Sequence, residues 1–256
     1  PIIWDKKNNK GKCRALIVNS GNANAHTGAQ GIKNIDKYVN ELAKLLSCSK
    51  NKILVSSTGV IGESFDPNLI CKKFKLLTIS KEKKLIDAAK AIWTTDTFVK
   101  TSLHNIKIDN QTIKCYGFAK GSGMINPNMG TMLAYIFIDC EITSAKLKKL
   151  LSDNLDETFN SITVDSDTST SDTLFLFSNP LKKINIKTNY DKISKCLKKV
   201  MKELSMKVIT DGEGINKLIK VSVIQAKNKI QAKNIASSIA NSPLVKTAIA
   251  GEDANW

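Results

Sequence analysis

Residues 121–139 read GSGMINPNMG followed at once by TMLAYIFID, and that junction decides the fold. Two early glycines and Pro127 exclude a continuous regular element from the first ten residues. The nine that follow are apolar and β-favouring almost throughout, the pattern of a buried strand. Working outward, residues 14–19 (RALIVN) and 53–57 read as short buried strands. The first ends in a Gly/Asn-rich turn at 20–25, and the second is broken at Thr58-Gly59 and again at Gly62. Residues 34–46 and 81–93 carry apolar side chains at helical spacing, residues 112–119 are extended, and 174–178 (LFLFS) form a buried strand. Residues 144–158, with Ser144 as the cap, 191–204 and 231–240 read as helices, and 218–225 alternates as a strand. Strands and helices alternate with no repeat and no low-complexity linker, so the class is mixed α/β.

The chain has 256 residues, enough for one large core or two modest ones. Its 42% hydrophobic and 24% charged content is that of an ordinary globular protein. No apolar run reaches spanning length and no basic-then-apolar leader opens the chain, so the expectation is a cytoplasmic protein with no membrane partner. The six cysteines form no C-x-x-C pair, which argues against zinc and a disulfide framework and for reduced thiols.

The net charge of +16 raises a rival reading, a basic nucleic-acid-binding module. Of 39 basic residues, however, only Arg14 is an arginine, the side chain that supplies most bidentate recognition of bases and phosphates. Aromatics are 6% and interleave with no basic stripe, so no stacking platform is visible. The abundance of Lys, Asn and Ile matches the drift of an AT-rich genome, and no nucleic-acid partner is expected.

Histidine is scarce. His26 and His104 have no evident partners, and no G-x-S-x-G elbow, P-loop or dinucleotide fingerprint is present. One constellation needs no histidine: a threonine whose own α-amine has been freed serves as nucleophile and base together. A free α-amine titrates at about 7.7–8.0, near enough to neutrality for that work. Such a threonine must open a rigid strand and follow a loop that can be cut, and Gly130-Thr131 meets both conditions. Threonine at a strand start is common, so the junction alone does not decide. The acidic run 165–173 (DSDTSTSDT) lacks the glycine and distal glutamate of an EF-hand loop, and reads as a turn held by local side-chain hydrogen bonds, with no metal.

The words around the junction carry more. Residues 119–133, AKGSGMINPNMGTML, resemble the self-processing site of the ornithine acetyltransferase (glutamate N-acetyltransferase) family. Six further blocks follow the family's order: VNSGNANAHTG at 18–28, SSTGVIG at 56–62, TTDTF at 94–98, DSDTSTSDT at 165–173, DGEG at 211–214 and GEDANW at 251–256. The resemblance implies a layered sandwich that cuts itself between Gly130 and Thr131. The products would be an α segment (1–130) and a β segment (131–256), expected as a heterotetramer of two each. Thr131 would take the acetyl group of N-acetylornithine as a covalent intermediate and pass it to glutamate, with acetyl-CoA as a further possible donor and no cofactor. Thr58 and Gly59 match the family's oxyanion pair, and Lys120, Thr131 and Glu213 its substrate-binding residues, together with Thr97 as the substrate-contacting threonine, for which Thr94 and Thr95 are close alternatives. The family usually has alanine where Gly130 stands, and it extends past both ends of this chain, so the β segment is expected to be incomplete. An amidase or aminopeptidase on a related self-processing scaffold is the alternative enzyme.

Overall fold

A computed structural model describes residues 1–79, 84–125 and 132–254, with the side chains of 77–79 outside that description. Two parallel strands, β1 (Ala15–Asn22) and β2 (Ile53–Val60), pair in register from Ala15↔Ile53 to Gly21↔Gly59. A short helix, α1 (Ile2–Asn8), precedes them, and α2 (Gly28–Leu45) makes the crossover between them. Ile35, Tyr38, Val39 and Leu42 recur at helical spacing on α2 and are buried against Ile17 of β1 and Ile53 and Val55 of β2. Strand side chains alternate, so Leu16 and Val18 of β1 face the other way.

That other face meets a second sheet. Its strands are β3 (Lys100–Ile108), β4 (Gln111–Lys120), β5 (Leu133–Ile138) and β6 (Thr173–Ser178), in that spatial order. The first three are antiparallel, and β5 and β6 run parallel. Three short helices, α3 (Asn68–Cys71), α4 (Phe74–Ile79) and α5 (Leu85–Ala91), lie between β2 and β3. Leu133, Tyr135 and Phe137 of β5 pack with Phe118, Phe175 and Phe177 against Leu16 and Val18. Ala134, Ile136 and Ile138 point to the opposite face, beneath α6 (Ser144–Leu155) and α7 (Ile186–Ile209). Burial on both faces explains why residues 133–138 read as an unbroken apolar run. The layers are helix, two-stranded sheet, four-stranded sheet, helices: the expected α/β layered sandwich.

Several boundaries differ from the sequence reading. β1 runs through Asn22 into the supposed turn, and β2 continues through Thr58-Gly59, because each strand gives the other its ladder partners there. The hairpin partner β3 has no counterpart in the sequence reading; Asp109 and Asn110, both at positive φ, make its turn. Ser144 does not cap α6: Thr143 holds the N-cap position, with no side-chain hydrogen bond. α7 starts earlier and ends later than 191–204. Residues 218–225 form no strand, since none of the described residues pairs with them, and alternation without a ladder partner leaves Leu218 and Ile224 exposed. Two helices follow instead, α8 (Lys229–Ala240) and α9 (Pro243–Gly251), the latter capped by the Ser242 hydroxyl.

Gly59 is where the parallel pair is least forgiving. Its φ is +127°, and a Cβ there would stand 2.3 Å from the carbonyl carbon of Gly21 and 2.6 Å from the Asn22 nitrogen. Gly59→Ala is therefore expected to lower stability by about 1–3 kcal/mol through strain and strand displacement. A urea midpoint equal to that of the parent chain would contradict this account of the crossing.

Candidate functional site

β4 ends at Lys120, which pairs with Leu133 at the start of β5. Lys120 is 2% exposed, and its ammonium donates to two hydroxyls: Thr58 Oγ1 on β2 at 3.1 Å and Thr94 Oγ1 at 2.7 Å. Thr58 is itself fully buried, at the level where β1 and β2 carry the Gly21–Gly59 pair. Thr94 is exposed, so the cluster reaches the surface on its side. Burial pulls the Lys120 ammonium below the ordinary lysine range, Asp96 and Asp172 pull it back up, and Lys100 opposes them.

Behind this lies a buried charge network. Lys100 is 0% exposed, and its ammonium bridges Asp96 Oδ1 at 2.6 Å and Asp211 Oδ2. Asp211 also accepts from the Thr97 N–H at 3.0 Å and from the Thr97 hydroxyl. Burial pushes the Asp211 carboxyl up, but Lys100 and Thr97 outweigh it and hold the group below its usual value.

The loop 165–173 does more than turn. Local Asx and Ser/Thr contacts hold it, from the Asp167 N–H to Asp165 and from the Ser171 N–H to Ser169. Its two end carboxylates reach outward. Asp165 accepts from the backbone N–H groups of Met124 and Ile125, and Asp172 from that of Met132 at 2.8 Å. The loop thus grips the chain on both sides of residues 126–131. The second oxygen of Asp172 is buried and has no hydrogen-bond partner among the described residues. Burial raises the Asp172 carboxyl to about 8, against the Met132 N–H and Lys120.

The structure brings Thr58, Gly59 and Lys120 together. Gly130 and Thr131 lie outside the described residues, as do the last two residues of the GEDANW block. Thr97 joins the network through Asp211, and the hydroxyl beside Lys120 is that of Thr94. Glu213 is exposed; its N–H donates to the Ser122 carbonyl at 3.3 Å, and its carboxylate lies over Gly123 without reaching Lys120 through any hydrogen bond. Sequence reasoning names Thr94 only as an alternative to Thr97, and does not single out Asp96, Lys100, Asp165, Asp172 or Asp211 as site residues. All but Lys100 lie inside motif blocks quoted above, and that was the available signal.

The match of these blocks is not confined to the site. The model of the ArgJ family covers residues 1–256. The chain belongs to the ArgJ family. It is 48% identical over 252 residues to the arginine biosynthesis bifunctional protein ArgJ of Bartonella henselae, covering 96% of this chain and 62% of that protein. The ArgJ protein of Bradyrhizobium diazoefficiens is 43% identical over 270 residues, covering 100% of this chain and 64% of the relative. The crystal structure of the ArgJ protein of Bacillus halodurans is 33% identical, covers 52% of this chain and 70% of that one, and gives a TM-score of 0.45. The chain therefore spans less than two thirds of the length of the curated ArgJ relatives named here. Among the described residues no helix is long and apolar enough to cross a membrane.

The orphaned oxygen of Asp172 makes a pH prediction. A carboxyl whose folded value lies above its unfolded value of 3.8 stabilises the fold most when both states are protonated, and that contribution is lost as pH rises towards about 8. Asp172→Asn keeps an acceptor for the Met132 N–H and cannot ionise. The advantage of the variant in denaturation midpoint should grow from pH 5 to pH 8, with a slope of at most about 1.4 kcal/mol per pH unit. A difference that is flat across this range would show that Asp172 does not titrate with folding.

Proposed function

We propose that the protein is an acetyltransferase of arginine biosynthesis, moving acetyl from N-acetylornithine to glutamate through an acetyl-threonine at Thr131. The observation that carries this reading is the Thr58–Lys120–Thr94 cluster, built where β4 ends and β5 begins, in a chain matched over its whole length by the ArgJ family model. The relatives' description as bifunctional supports acetyl-CoA as a second donor. The chemistry proposed uses no metal or cofactor.

In this reading the precursor is cut between Gly130 and Thr131, which frees the threonine α-amine. The Thr131 hydroxyl attacks the acetyl carbonyl carbon while its proton passes to that amine. The tetrahedral oxyanion is met by the Thr58 hydroxyl and the Gly59 N–H. Collapse breaks the acetyl C–N bond, and ornithine leaves with the proton on its amine; the glutamate amine then attacks the acetyl ester, its proton passes through the Thr131 α-amine to the Thr131 oxygen, and the ester C–O bond breaks to release N-acetylglutamate. Lys120 and Glu213 hold charged ends of the substrate, and Thr94 fits the hydroxyl contact beside Lys120 better than Thr97, whose hydroxyl is occupied by Asp211. Two α and two β segments assemble in the working enzyme. A cytoplasmic location accords with the six free cysteines.

The full-length protein is expected to purify as two fragments, the β fragment beginning Thr-Met-Leu-Ala by Edman sequencing. Thr131→Ala should abolish both the cut and acetyl transfer; an uncut protein that transfers acetyl at the parent rate would refute the mechanism.

Thr58→Ala, assayed on protein already cut, should lower kcat by about 10²–10³ with little change in KM. A change in KM alone would move Thr58 from the oxyanion to the binding pocket.

A further inference from the structure

Asp96 appears in none of the roles above, yet its carboxylate reaches several parts of the site. Its carboxylate is completely withdrawn from solvent. One oxygen accepts from the Lys100 ammonium at 2.6 Å and from the Gly121 N–H at 2.9 Å. The other accepts from the Thr94 N–H at 3.3 Å and stands 4.0 Å from the Lys120 ammonium. One carboxylate therefore ties down the residue after Lys120 and the residue whose hydroxyl Lys120 contacts, and it faces Lys120 with a negative charge.

Among the described residues the hydrogen-bond partners of Lys120 are two neutral hydroxyls, which offset only part of the cost of burying a cation. The titratable groups around it come from three other elements: Asp96 before β3 and Lys100 on it, Asp172 before β6, and Asp211 after α7 on the far side of Lys100. From β2 it donates to the Thr58 hydroxyl. Lys100 repels the Lys120 ammonium and shares Asp96 with it. Asp211 answers by engaging Lys100 from the other side, which leaves part of the Asp96 charge to act on Lys120.

We propose that Asp96 is the positioning residue of the site, fixing Lys120 and Thr94 beside Thr58 and keeping the buried Lys120 ammonium charged to receive an anionic group of the substrate. This rests on the reading of Lys120 as a substrate-binding residue, but its test does not need turnover.

The test is the titration of Lys120 followed by NMR in the full chain carrying ¹³C-labelled lysine, with the Lys120 signal assigned by its loss in Lys120→Arg. In Asp96→Asn, Lys120 should titrate about one pH unit lower than in the parent. A merely structural Asp96 gives the opposite sign, because loosening the site lets water in and returns a buried lysine towards its ordinary, higher value. A Lys120 that titrates unchanged or higher in Asp96→Asn overturns the proposal. If that variant does not fold, Lys100→Met replaces it by removing the cation that competes for Asp96. Lys120 should then titrate higher while staying inaccessible to an amine-acylating reagent, and an unchanged titration or a newly reactive Lys120 overturns the proposal. Because neither reading uses catalysis, a chain in which Thr131 proved not to be the nucleophile would still answer the question about Asp96.

Discussion

Two ammonium groups and two carboxylates, Lys100, Lys120, Asp96 and Asp211, are buried together at the meeting point of the chain's elements, and their charges must cancel. Removing a single partner from such a cluster typically costs about 3–5 kcal/mol, because it strands an unpaired charge in a poorly polarisable interior. The cancellation is a constraint on position as well as on charge. Asp96 comes from the loop before β3, Lys100 from β3 itself, Lys120 from the end of β4 and Asp211 from the turn just after α7. None of these elements can shift without exposing or orphaning a charge that another supplies, so the network holds the large sheet and its covering helix in register with β2.

The same arrangement explains why Thr58 can be a buried hydroxyl on a strand, a position that otherwise favours an apolar side chain. Its partner, the Lys120 ammonium, is delivered by the neighbouring sheet, and the apolar packing of Leu16 and Val18 on Tyr135 and Phe118 brings the two sheets to that distance. Packing sets the approach, and electrostatics set what can sit at the point of contact. Burial and charge thus act on one site from opposite directions.

Much of this was readable from the residues, and the failures have physical reasons. β5 was plain because burial on both faces demands an unbroken apolar run, and α2 because one buried face demands 3.6-residue spacing. The hairpin strand β3 was missed because Lys100, Ser102, His104 and Lys107 break its apolar pattern, and Lys100 turns inward only because two carboxylates from distant segments await it. Residues 218–225 alternate well enough for a strand, but alternation reports a face and not a partner. At the site, the TTDTF block lies in the loop that meets Lys120, yet which of its threonines does so depends on Asp211, more than a hundred residues away. Asp165 and Asp172 sat inside a loop correctly read as locally bonded; their reach to Met124, Ile125 and Met132 is a tertiary fact that local chemistry does not encode.

The proposed division between Gly130 and Thr131 would fall between β4 and β5, two strands laddered side by side from Cys115↔Ile138 to Lys120↔Leu133 in the middle of the four-stranded sheet. A chain severed there would contribute two strands of one sheet from one piece and two from the other. The pieces could not part without tearing the sheet down its centre and dividing the two cores that line its faces. Severance would leave the folded molecule almost untouched but would change how it recovers from unfolding. Before the cut, refolding is a property of one chain and indifferent to dilution. Afterwards it requires two chains to meet, so its rate falls with concentration, and denaturation in dilute solution becomes in practice a one-way step.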